Sequence, residues 1–88
     1  MTIEKKTWPE FFEKVLSGQK TYDVRVADFK CSPGDTLVLK EYDPETKKYT
    51  GREITKKVGF VGSLKDFNFW PQEDLEKYGL QVISLLEE

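Results

Sequence analysis

Lys20, Thr21, Asp23 and Arg25 fall in one short stretch, Gly18-Gln19-Lys20-Thr21-Tyr22-Asp23-Val24-Arg25, which gathers an ammonium, a hydroxyl, an acid and a guanidinium. An extended chain alternates its side chains, so Thr21, Asp23 and Arg25 share one side, and Tyr22, Val24 and Val26 the other. An acid two residues from an arginine on one face fixes the guanidinium, whose planar fork suits a phosphate, a carboxylate or a base edge. A surface ion pair on an edge strand has the same pattern. Lys20 supplies a phosphate- or carbonyl-binding ammonium. With its pKa depressed by burial or by Arg25, it becomes an acid–base partner for Asp23.

Other residues border this stretch. Lys5 and Lys6 precede the first predicted helix, and the ring of Trp8 suits either stacking on a base or packing on the core. Tyr42 and Tyr49 flank a polar loop and suit either cross-strand partners or ligand contacts. Lys40, Arg52, Lys56 and Lys57 do not make a clean basic stripe, because Glu41 and Glu53 interrupt them.

The absences narrow the chemistry. There is no histidine and a single cysteine, Cys31, which removes a structural zinc site, an internal disulfide and the commonest general base. No cofactor is expected. Fourteen basic residues stand against sixteen acidic ones, for a net charge of −2. A domain that grips nucleic acid chiefly through phosphates is normally basic, so a nucleic-acid role here needs a local pocket. No apolar run is long enough for a membrane span or a signal peptide. The lone cysteine suits a reducing compartment, and the expectation is a cytoplasmic monomer.

The elements that must position these residues fit one domain over residues 1–88. Residues 2–6 suit a short first strand. Thr7, Pro9 and Glu10 read as a helix opening with Thr7 as cap, and Trp8, Phe12, Val15 and Leu16 form an apolar stripe that Gly18 ends. Strands are predicted at about 20–26, 36–42, 49–61 and 80–86. Pro33-Gly34-Asp35 is a turn, and Gly51 and Gly59 suggest a bulge or bend. A short helix follows Trp70-Pro71 and stops at Gly79. Five or six mostly antiparallel strands with two short helices make an α+β fold whose sheet curls toward a barrel.

Several motifs carry a family likeness. Trp8-Pro9-Glu10-Phe11-Phe12, Gly18 through Arg25, Gly34-Asp35, Glu41-Tyr42-Asp43-Pro44 and Tyr49-Thr50-Gly51-Arg52, with Trp70-Pro71 and Tyr78-Gly79 through Ser84, resemble a small branch of the ASCH family of PUA-like domains. The likeness covers nearly the whole chain. It implies a PUA-like pseudo-barrel with a cleft lined by the Gly18–Arg25 element and the first helix, binding RNA or a modified nucleotide. Carried over, Lys20, Asp23 and Arg25 are the cleft residues, with Asp23 where a glutamate is commoner in the family. A bacterial relative hydrolyses acetylated cytidine with a lysine and, three residues later, a threonine. Here Lys20 matches but Asp23 takes the second position, while Thr21 is adjacent to the lysine, so that mechanism does not carry over intact.

The reading favoured is an RNA- or nucleotide-binding module that uses Lys20, Asp23 and Arg25, flanked by Lys6, Trp8 and Thr21. The alternatives are a small amidohydrolase acting on a modified nucleoside through Lys20 and Asp23, and a ligand-free protein-interaction domain. The last would use the Asp43–Lys48 loop and the aromatic run Phe67-Asn68-Phe69-Trp70.

Overall fold

The computed structural model describes residues 1–66 and 69–87. Strand β1 (Thr2–Thr7) leads into helix α1 (Pro9–Leu16), and the chain returns through β2 (Thr36–Asp43) and β3 (Lys48–Lys57). A single 3₁₀ turn (Leu64–Asp66) and helix α2 (Gln72–Tyr78) follow. The sheet has three strands in the order β1-β2-β3. β1 runs parallel to β2, with Lys6 beside Lys40 and Thr7 beside Glu41. β3 returns antiparallel.

This open, mixed sheet overturns the predicted pseudo-barrel of five or six strands. Two of the expected strands do not form. Residues 20–26 carry no ladder; side chains take two of their backbone groups, with Lys20 Nζ donating to the Tyr22 carbonyl at 2.6 Å and the Thr21 amide donating to Ser84 Oγ at 3.2 Å. Side chains that bond their own neighbourhood compete with sheet pairing. Residues 80–86 are also without regular structure. Their apolar residues switch parity at Ile83, so neither face sets a register. β3 stops at Lys57, short of the predicted end at 61, and Phe60 is exposed.

Helix α1 matches its predicted span, but its cap does not. Trp8 is the N-cap residue and makes no side-chain capping bond. Thr7 closes β1 instead, with its side chain buried. Of the apolar stripe, Phe12 and Val15 are buried, whereas Trp8 and Leu16 are about half exposed. Phe12, Val15 and Leu39 form the buried apolar core where α1 crosses β2.

The hairpin register is set by a bulge. Lys40 pairs with Glu53 and Tyr42 with Tyr49, so Glu41 alone stands opposite Thr50, Gly51 and Arg52. Gly51 has φ +97°, a conformation costly to a residue with a Cβ. The bulge turns Thr50 and Arg52 onto one carboxylate. Thr50 Oγ1 donates to Glu41 Oε1 at 2.6 Å, and Arg52 donates through Nε and Nη2 to the two Glu41 oxygens, both at 2.9 Å. Arg52 also donates to Glu13 of α1 and lies 4.8 Å over the Phe12 ring. Helix and hairpin are thus fastened through one buried glutamate. Arg52 and then Thr50 hold the Glu41 carboxyl below its ordinary pKa, and Glu41 and Glu13 raise that of Arg52.

Candidate functional site

Arg25 is the sequence-predicted residue with the most defined setting. Its Nε donates to Asp23 Oδ2 at 2.5 Å and its Nη2 to Asp23 Oδ1 at 3.4 Å. Nη2 also donates to the Thr7 hydroxyl at 3.0 Å. Asp23 and Thr7 therefore fix the plane of the guanidinium at the C-terminal end of β1.

Beside Arg25 runs an open cleft of about 510 Å³, lined by Glu4, Lys5, Lys6, Arg25, Lys40 and Tyr49. Strand geometry explains the gathering. Parallel pairing sets Lys6 next to Lys40, and the side chains of Glu4, Lys6 and Lys40 share one face. Lys40 Nζ meets Glu4 Oε1 at 3.3 Å. Lys5, on the other face, places its ammonium 3.6 Å over the Phe29 ring. Lys6 sits 4.4 Å over the Tyr42 ring and 5.9 Å from that of Tyr49. Four cations thus line the cleft against one carboxylate.

The remaining predicted residues stand off this cleft. Lys20 folds back, its ammonium bonded to the Tyr22 carbonyl and 4.6 Å from the Tyr22 ring. Burial holds its pKa below the ordinary lysine value; Asp23 opposes that shift and Arg25 reinforces it. Asp23 acts through Arg25. The Thr21 amide donates to Ser84 Oγ at 3.2 Å, and Trp8 opens α1. Of the aromatic run, the Phe69 and Trp70 rings pack with centroids 4.1 Å apart and planes tilted by 42°, while Phe67 and Asn68 lie outside the described residues.

Thr7 reads in the sequence only as a helix cap, and neither Lys40 on its interrupted stripe nor Tyr49 beside its loop is joined there to Arg25. Their signal was the parallel pairing of β1 with β2, which periodicity alone does not reveal. Among the described residues, no cluster of acids, cysteine or histidine could hold a metal ion, and no helix is long and apolar enough to cross a membrane.

A family model described as "Domain of unknown function (DUF3850)" matches residues 2–75. The chain belongs to this family. The matched span contains every residue lining the cleft, together with Thr7, Asp23 and the Glu41–Arg52 pair. No curated protein and no solved structure matches the chain. The family description carries no activity, so a functional reading must start from the cleft itself.

Proposed function

We propose that this chain is an RNA- or nucleotide-binding module whose contact surface is the cleft along β1. One observation carries the reading: Lys5, Lys6, Lys40 and an oriented Arg25 converge with Tyr49 on a protein of net charge −2. Concentrating cations in one hollow of an acidic chain favours a compact anion, and an aromatic ring at the same wall favours a ligand with a flat base. The likeness of Gly18 through Arg25 to the ASCH-type element supports the same ligand class. Arg25 presents its Nη1 to a phosphate or a base edge while Asp23 and Thr7 hold Nε and Nη2, and the lysines neutralise phosphate charge.

The hydrolase reading has one observation in its favour, the lowered pKa of Lys20. Against it, the Lys20 ammonium is bonded to a carbonyl and both Asp23 oxygens face Arg25. Acetylated cytidine is expected to show no turnover above a Lys20→Ala control.

The binding proposal is tested by following intrinsic tryptophan fluorescence during titration with nucleotides, modified nucleosides and short single-stranded RNAs at two salt concentrations. Saturable binding that weakens in Arg25→Ala and Lys40→Ala supports it. Absence of binding, or variants that bind like the parent, overturns it.

A further inference from the structure

The sheet face that carries Lys6 and Lys40 also carries Tyr42 and Tyr49, directly opposite one another across β2 and β3. Their rings meet edge to face, with centroids 5.2 Å apart and planes at 75°. Helix α1 packs on the other face, against Glu41, Arg52 and Leu39. The tyrosine face is therefore open on the helix-free side, and Tyr49 is 54% exposed. Tyr49 also belongs to the cleft wall, so cleft and tyrosine pair form one continuous surface.

We infer that this surface is a stacking platform for single-stranded nucleic acid, with Tyr42 and Tyr49 receiving bases while Lys6, Lys40 and Arg25 hold the backbone. The inference rests on the nucleotide-binding reading and deepens it: the occupant is an unpaired strand rather than a duplex. Charge complementarity selects an anionic occupant, because Arg25 is paired with Asp23 and Lys40 with Glu4, and Lys5 and Lys6 leave the cleft net positive. The aromatic pair selects unstacked bases, since a duplex keeps its base faces covered.

Lys6 supplies the coupling. Its ammonium lies 4.4 Å over the Tyr42 ring. A phosphate is a stronger partner for an ammonium than a ring face is. Phosphate binding in the cleft thus draws Lys6 off Tyr42 and uncovers that ring for the adjoining base.

The test uses fluorescence anisotropy of labelled hexauridylate with the parent protein, Tyr49→Leu, Tyr49→Trp and Lys6→Ala, each checked for folding by circular dichroism. Tyr49→Leu is expected to weaken binding by between about five- and 160-fold, the range for loss of one base–aromatic stack. It should leave the slope of log affinity against log salt unchanged. Tyr49→Trp should restore the affinity. Lys6→Ala should lower the slope by about 0.7, the value for one phosphate contact on a single strand. A Tyr49→Leu variant that binds hexauridylate like the parent overturns the stacking inference and leaves the cleft reading standing, as does a duplex of equal length that binds as tightly as the single strand. If the parent binds neither hexauridylate nor any nucleotide, both readings fall together.

Discussion

Glu41→Gln tests how this small fold is held together. Glu41 is buried and takes three donors: Thr50 Oγ1 at 2.6 Å, and Arg52 Nε and Nη2 at 2.9 Å each. Glutamine keeps the shape and one accepting oxygen, but turns an amide NH₂ toward Arg52 Nη2. Removing one partner of a fully buried ion pair costs about 3–5 kcal/mol, because the survivor is stranded. Arg52 is not stranded: its side chain is 48% exposed and it keeps Glu13. The cost of Glu41→Gln therefore drops to about 2 kcal/mol. In a domain of this size that lowers Tm by about 8–16 °C.

The pH dependence follows from the same bonds. Arg52 and Thr50 hold the folded-state pKa of Glu41 below its ordinary 4.5. Its stabilisation is thus complete above that ordinary value and is lost as pH falls through the lower folded value. Urea melts of parent and Glu41→Gln should differ at pH 7 in midpoint, with equal slopes, and the gap should close toward acid pH as Glu41 itself becomes neutral. A variant within about 0.5 kcal/mol of the parent at pH 7, or a gap that persists in acid, would refute the reasoning.

Three further outcomes are expected. Thr7→Val removes the hydroxyl that accepts from Arg25 and should weaken nucleotide binding about three- to tenfold with little change in Tm; unchanged affinity in the titration would show that Arg25 needs no such support. Gly51→Ala forces a Cβ into φ +97° and should cost about 1–2 kcal/mol in thermal melts, so an unaltered melt counts against the bulge. Phe12→Ala empties the most deeply buried site, 1% exposed, at about 3–5 kcal/mol. That loss should lower Tm by about 12–40 °C in a domain of 88 residues, and a melt like the parent's would contradict it.

Local signals in the sequence proved dependable where one element decides the outcome. Proline and glycine bracketed α1, and the polar loop between two apolar runs announced the β2–β3 hairpin together with the facing of Tyr42 and Tyr49. Gly51 marked the bulge. What failed depends on pairing. The alternation of Tyr22, Val24 and Val26 describes a strand, yet Lys20 takes the Tyr22 carbonyl and Ser84 takes the Thr21 amide. Thr7 has the side chain of a helix cap, yet ends a strand as an acceptor for a guanidinium eighteen residues away. The cleft was half legible: Arg25 and Lys6 stood out, but Lys40 joins them only because β1 lies parallel to β2, a choice that no short-range pattern encodes. The two-residue spacing of Asp23 and Arg25 did announce their pairing, in which the acid orients the guanidinium.

Backbone amide shifts, recorded by heteronuclear NMR while a uridine nucleotide is added, examine the cleft most directly. The account predicts that the largest changes fall on Lys5, Lys6, Arg25, Lys40 and Tyr49 and saturate together, with the amides of α2 unmoved. A spectrum that stays unchanged throughout, or one whose shifts gather on α2 and the residues after it, would contradict it.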